Sequence, residues 1–380
     1  MAEEAAPIRF GILGCAEIAR KVSRAITLSP NATLYAVGSR SLDKATKFAA
    51  SNSFPPHAKV YGSYEDVIDD PEVDAVYVPL PTSLHVQWAV LAAQKKKHLL
   101  LEKPVALNVH DLHKILEACE SNGLQYMDAT MWMHHPRTTQ MFHFLSDPQQ
   151  FGRLQSVHAT FSYGVSPYFL ENDIRVKPEL DALGALGDTG WYCVRAILWA
   201  SNYELPKSAR ALHKPTYNDA GVILACGASL SWEDHKVATF YCSFLTDMSM
   251  DIIVMGTKGS LRVHDYVIPN QEKEAKFSTS SNSNWVELSL GWAPNPSEHV
   301  VYNDLPQEAH MVKEFARLVG AIKYNNSKPE DTWPIISRKT QLVIDAVKTS
   351  IDNGLEPVEI KDSINNHTLE AARSTQQQAN

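Results

Sequence analysis

The chain has 380 residues, 44% hydrophobic and 21% charged, the balance of an ordinary soluble globular protein with room for two or three cores. A formal net charge of −8 argues against a general electrostatic grip on nucleic acid or an anionic membrane. Five cysteines without a CxxC spacing, and no apolar run near the ~20 residues of a membrane helix, exclude a disulfide framework, a zinc site and a membrane span.

The acidic start, residues 1–7, carries no secretory pattern, so the expected location is cytoplasmic. Ile8 to Leu13 is an apolar run that meets glycine, and Glu17 to Leu28 has helical spacing at Ile18, Val22, Ala25 and Ile26. Thr33 to Val37 is β-rich, Asp43 to Ala50 helical, and Val73 to Val78 a strand closed by Pro79 and Pro81. Leu84, Trp88, Leu91 and Ala92 mark a helix, and Lys95 to Lys97 read as its solvated end. His98 to Leu101 is a short buried strand, Val109 to Cys119 a helix and Gln125 to Ala129 a further strand. This alternation predicts a doubly wound parallel sheet covered on both faces, with ligands at the carboxyl ends of its strands.

The rhythm changes after about residue 150. Leu154 to Tyr163 alternates, with Val157, Ala159, Phe161 and Tyr163 on one side. Lys236 to Phe244, Asp251 to Met255, Leu261 to Val263 and Trp285 to Leu290 are β-like, with a hairpin turn at Gly256-Thr-Lys-Gly259. They predict a mainly antiparallel sheet with helices on one face. Two late helices carry the stripes Met311, Phe315, Leu318, Ile322 and Leu342, Val343, Ala346, Val347. The expected fold class is therefore α/β, with a dinucleotide-binding Rossmann domain over 1–128, an α+β domain over 129–360 and a polar, loosely held tail over 361–380.

The candidate chemistry begins where the first strand ends. Gly14-Cys-Ala16-Glu-Ile-Ala19 is a G-x-G-x-x-A fingerprint with alanine in the middle, a methyl tolerated only at a negative backbone angle. The second strand ends Ser39-Arg40, with Lys44 one turn on and no acid for ribose hydroxyls. A guanidinium there suits a 2′-phosphate, which favours NADP over NAD; a solvated loop arginine is the other reading of Arg40. Glu102-Lys103-Pro104 closes the buried strand. Asp188 and Tyr192, four apart in Gly184-Ala-Leu-Gly-Asp-Thr-Gly-Trp-Tyr192, share a helix face; an N-capping acid and a core tyrosine are the alternative. His134-His135 lacks the spacing and the acid of a metal site, and no metal is expected.

With these motifs the chain resembles the Gfo/Idh/MocA oxidoreductases (glucose–fructose oxidoreductase, inositol dehydrogenase and rhizopine-catabolism proteins) over residues 7 to 360. Glu102-Lys103-Pro104, Pro81-Thr-Ser-Leu-His85 and Gly184 to Tyr192 fall in family order. The start and the tyrosine look most like the NADP-dependent D-xylose 1-dehydrogenase and dimeric dihydrodiol dehydrogenase branch. Ala16 and the lead-in Leu180-Asp-Ala-Leu183 depart from the pattern. The resemblance implies an open sheet in the second domain, often used to form a homodimer. It implies that Lys103, Asp188 and Tyr192 meet at the nicotinamide, and that NADP is held around Gly14, Cys15, Ala16, Glu17, Ile18, Ser39, Arg40, Lys44, Leu80, Pro81, His85, Glu102 and Lys103. Trp132, His134 and Arg175 join Lys103, Asp188 and Tyr192 as expected substrate contacts. The implied reaction moves hydride between nicotinamide and a hydroxyl or carbonyl carbon of a sugar, polyol, dihydrodiol or related small molecule. Either Tyr192, its pKa lowered by Lys103, or Lys103 itself, lowered by burial, accepts the proton. A catalytically inactive NADP sensor of the same fold is the alternative.

Overall fold

The computed structural model describes residues 6–286 and 291–362. Its first part alternates as β1 (Ile8–Leu13), α1 (Glu17–Leu28), β2 (Ala32–Gly38), α2 (Leu42–Ser51), β3 (Lys59–Tyr61), α3 (Tyr64–Asp69), β4 (Ala75–Val78), α4 (His85–Gln94), β5 (His98–Leu101), α5 (Val109–Ser121) and β6 (Tyr126–Asp128). The six strands pair in parallel in the order β3-β2-β1-β4-β5-β6. The order reverses between β1 and β4, which opens a crevice at their carboxyl ends. Strands β4 and β5 are buried throughout, as a sheet covered on both faces requires.

The second part runs α6 (Pro136–Ser146), β7 (Leu154–Ser162), α7 (Pro167–Asn172), α8 (Pro178–Asp181), α9 (Gly184–Ala200), β8 (Ser208–Ala211), β9 (Thr216–Tyr217), β10 (Ile223–Ser231), β11 (Val237–Ser243), β12 (Ser249–Gly256), β13 (Gly259–Val263), β14 (Glu274–Ser281), β15 (Asn284–Trp285), β16 (Trp292–Ala293), β17 (Ser297–Tyr302), α10 (Gln307–Asn325), α11 (Thr332–Asp352) and β18 (Val358–Glu359). Its main sheet is ordered β17-β14-β13-β12-β7-β11-β10-β8-β18, with β9 beside β10. The β7–β11 contact is parallel and the other pairings are antiparallel. Val157, Ala159 and Phe161 of β7 face the core, as their alternation predicts.

Helix α9 lies on the inner face of this sheet and is buried from Gly184 to Trp199. Its approach depends on Gly184, which has φ +55 and sits where an added Cβ would come 2.1 Å from the carbonyl oxygen of Ile223. A buried ion pair joins the helix to the first sheet. Arg195 Nη2 donates to Asp128 Oδ2 at 2.8 Å, both side chains are fully buried, and Arg195 Nε donates to Thr340 of α11 at 2.8 Å. Asp128 also accepts from Thr130 and Ser337, and Trp191 Nε1 donates to Thr130 Oγ1 at 2.9 Å.

The two parts share helices. Helix α10 returns to cover the first sheet, with Phe315 against Phe10 at 5.9 Å between ring centres and Ser29 Oγ donating to the Ala309 carbonyl at 3.0 Å. The basic run differs from the expectation. Lys95 is exposed and ion-paired with Asp69, but Lys97 is buried and its ammonium donates to the Asp70 and Val73 carbonyls at 2.6 and 2.8 Å. Strand β10 carries no alternating signal because nearly every residue of it is buried. Of the strand expected over 285–290, Trp285 pairs with Trp292, while 287–290 lie outside the described residues, as does the tail from 363.

Candidate active site

The crevice is built first by the β1–α1 turn. Gly14 takes φ +108, and its N–H donates to the Gly38 carbonyl at 2.8 Å. An added Cβ at Gly14 would come 3.1 Å from Leu80 Cδ2. Ala16 is the N-cap of α1 at φ −69 and ψ 159, an angle at which its methyl group causes no strain. No side chain caps α1, so the N–H groups of its first turn face the crevice with the positive end of the helix. Ile18 is half-buried beside them, and Glu17 is exposed and paired with Arg20 at 2.6 Å.

The end of β2 supplies the second wall. Ser39 is buried and Arg40 exposed, and Ser41 caps α2 by accepting from the Lys44 N–H at 3.3 Å. Burial pushes the Cys15 thiol up, opposed by Lys44 and by a hydrogen bond with Ser39. Burial likewise raises Tyr64, whose hydroxyl feels the Arg40 guanidinium. A glycine turn, an uncapped helix start and an exposed guanidinium beside Tyr64 fit a dinucleotide carrying a 2′-phosphate.

Strand β5 delivers the third group. Glu102 is buried and accepts from the Tyr77 hydroxyl at 2.6 Å and from the Lys103 N–H at 3.2 Å; burial raises its pKa against the pull of Lys103. The Lys103–Pro104 peptide is cis. The Lys103 ammonium pairs with Asp188 Oδ1 and stands 5.0 Å over the ring of Tyr192. Arg175 Nε approaches the same Asp188 oxygen at 3.2 Å, and the Tyr163 hydroxyl donates to Asp188 Oδ2 at 2.8 Å.

Asp188 is therefore a carboxylate with three donors. Burial alone would raise its pKa, but Lys103 and Arg175 hold it well below the usual carboxylate range. Burial opposes the charge on Lys103, yet Asp188 and Tyr192 leave its pKa above that of an ordinary lysine. The expectation of a lysine lowered by burial is thus corrected by its ion pair. Burial pushes Tyr192 up to about 12 against the attraction of Lys103, so the expectation of a tyrosine lowered by Lys103 is corrected too. Both Asp188 and Tyr192 lie inside α9, whose N-cap is Leu183, so Asp188 is no capping residue.

Three expected contacts go elsewhere. His85 is buried behind the loop, with Nδ1 3.1 Å from the Val105 carbonyl and Nε2 2.8 Å from that of Leu80, so it braces the loop that carries Leu80 and Pro81. Trp132 is sealed in the core, edge-on to Trp199 and Tyr266 at 5.6 Å. His134 stacks on Trp333 at 4.7 Å near His310 and Glu314, and burial lowers its pKa to about 4. The 3₁₀ turn Met131–His134 sends both side chains into packing. Among the described residues no cluster of His, Cys, Asp or Glu could hold a metal ion.

Residues 8–130 match the family described as "Oxidoreductase family, NAD-binding Rossmann fold", and residues 143–262 match its C-terminal domain. A D-xylose 1-dehydrogenase (NADP(+)) from Haloferax volcanii is 31% identical over 71% of this chain and 80% of its own length. The chain belongs to the Gfo/Idh/MocA oxidoreductase family. A further member, a trans-1,2-dihydrobenzene-1,2-diol dehydrogenase from Danio rerio, is 29% identical over 67% of this chain and 74% of its own. The crystal structure of the 3-ketoreductase KijD10 from Actinomadura kijaniata, in complex with NADP and TDP-benzene, is 26% identical with a TM-score of 0.75, covering 90% of this chain and 97% of that one.

Four residues beside this candidate site were not read as site residues in the sequence: Tyr64 and Tyr77, and Tyr163 and Asp181, which were read only as part of a strand face and of the lead-in. Tyr163 follows a core-facing register, where a hydroxyl at a strand end is itself a signal. Asp181, in the unusual lead-in, accepts from the Thr82 N–H at 3.2 Å and from its hydroxyl, and so ties the second domain to the loop after β4.

Proposed function

We propose that this oxidoreductase uses NADP(H) to interconvert a hydroxyl and a carbonyl on a sugar, polyol, dihydrodiol or related small molecule. The observation that carries the reading is the convergence of Lys103, Asp188 and Tyr192 at the carboxyl end of β5, two strands along the sheet from β1. The nicotinamide, when bound, supplies or accepts the hydride. Tyr192, neutral near pH 7, donates a proton to the forming hydroxyl during reduction and takes it back during oxidation. Lys103 stays charged and steadies the tyrosinate across 5.0 Å. Asp188 acts as the anchor that holds Lys103 and Arg175, because its lone pairs are committed to them and to Tyr163.

The test is a spectrophotometric panel of sugars, cyclitols and dihydrodiols with NADP and NAD. Reduction of NADP by at least one class is expected; NADPH binding without turnover across the panel would favour the sensor instead. The cofactor preference rests on Arg40, because a charge-assisted hydrogen bond to a phosphate contributes about 1.5–3 kcal/mol. Arg40→Ala is expected to weaken NADP by about ten- to a hundred-fold in fluorescence titrations and to leave NAD nearly unchanged. An equal loss for both would refute the 2′-phosphate contact.

The assembly proposed is a homodimer through the outer face of the large sheet, where Val237, Met255 and Val300 are exposed. Light scattering is expected to give twice the chain mass, and a monomer at micromolar concentration would rule this out. A cytoplasmic setting belongs to the same proposal: all five cysteines are free thiols, with the sulfurs of Cys226 and Cys242 3.4 Å apart. No described helix is long and apolar enough to cross a membrane. A Cys226–Cys242 disulfide in protein taken directly from cells would contradict the reducing compartment.

A further inference from the structure

No step of the proposed reaction uses Asp181, which lies in the lead-in that departs from the family pattern. Its side chain is buried, and its Oδ1 accepts from both the N–H and the hydroxyl of Thr82. Thr82 opens the 3₁₀ turn Thr82–Leu84, which runs on into α4. Neither Pro81 nor Leu84 caps that start with a side chain. The first N–H groups of a helix have no partner within it and carry its positive end. Asp181 therefore caps the start of α4 from the other domain, 99 positions along the chain.

Each side of this cap leads to one half of the candidate site. On the Thr82 side, Leu80 closes on the β1–α1 turn, its Cδ2 3.1 Å from where a Cβ on Gly14 would stand. On the Asp181 side, α8 follows the 3₁₀ turn Ile174–Val176. Val176 is buried, and its carbonyl accepts from Asn218 Nδ2 at 2.9 Å. Arg175 on the same turn is held by Asp173 at 3.1 Å and Asp188 Oδ1 at 3.2 Å. Residues 173–181 thus form a strap with one end on Asp188 and the other on the loop after β4. Resting on the activity proposed above, we infer that Asp181 is a positioning residue: by capping α4 from the second domain it ties the strap, and Arg175 with it, to the loop that borders the cofactor, so that cofactor and substrate bind more tightly together than apart. The cost of ordering loop and strap falls on the first ligand, and the second meets them already in place. Such a coupling is reciprocal between the two ligands.

The test titrates NADPH by fluorescence with and without a saturating alcohol, the member of the panel above with the highest kcat/KM. NADPH is already reduced and cannot oxidise it, so the complex does not react. In the wild type the alcohol is expected to lower the Kd of NADPH by about five-fold or more. Asp181→Ala is expected to cut that factor below about two-fold. Asp181→Asn is expected to keep most of it, because an amide oxygen accepts the same two bonds. Thr82→Ala, which removes only the hydroxyl donor, is expected to fall between the wild type and Asp181→Ala, and it carries the test should the latter fail to fold. An alcohol effect absent from the wild type, or kept in full by both alanine variants, would overturn the assignment and leave Asp181 as a structural cap. An Asn variant as uncoupled as the Ala variant would overturn it too. No oxidation of any panel member by the wild type would overturn the activity, and this inference with it.

Discussion

Tyr192→Phe is expected to lower kcat by about a hundred- to ten-thousand-fold, the usual contribution of a positioned acid–base group. The change removes one oxygen and little else. A phenylalanine ring keeps the edge contact with Phe161 at 5.5 Å and remains under the Lys103 ammonium. NADP affinity and Tm are therefore expected to stay near wild type, so that the loss falls on kcat. Lys103→Met is the necessary comparison. It removes the charge that steadies the tyrosinate, and it also leaves Asp188, buried, with Arg175 and Tyr163 alone. Turnover and stability should then fall together. The pH dependence separates the two roles, since an alkaline group set by Tyr192 disappears from the Phe variant. Near-normal turnover in both variants would overturn the whole site assignment.

Arg195→Met should cost about 3–5 kcal/mol of stability, because it leaves Asp128 buried without its cation. Both members of that pair are fully buried. In a chain of this size such a loss should lower Tm by roughly 5 °C. The surface pair Lys47–Asp43, at 2.8 Å and exposed, is the control; breaking it should cost less than about 1 kcal/mol. The effect on activity follows from position, since Arg195 lies one turn past Tyr192 on α9 and Asp128 ends the last strand of the first sheet. The pair orients the helix that carries Asp188 and Tyr192 against the sheet that carries Lys103. A melting point within about 2 °C of wild type would show that packing alone fixes α9.

The sequence by itself determined whatever depends on neighbours along the chain. Periods of two and of three to four residues placed most strands and helices, because burial of one face repeats at the spacing of the backbone. The β1–α1 fingerprint was legible for the same reason, and so was the requirement for a negative angle at Ala16, met at φ −69. Asp188 and Tyr192 were legible as one helix face. Strand β10 was not, since burial of nearly all its residues removes the alternation.

Tertiary structure alone decided which side chains meet. Lys103 and Asp188 are 85 positions apart, Asp128 and Arg195 are 67, and Thr82 and Asp181 are 99. No local period records such pairs. A buried charge or hydroxyl must find its partner wherever the packing brings one. That demand drew Lys97 to two carbonyls and His85 to two more, and it gave Tyr163 to Asp188. It also overruled the local reading of Lys103, because the pulls of Asp188, Tyr192 and Glu102 together outweigh the burial that alone would have lowered its pKa.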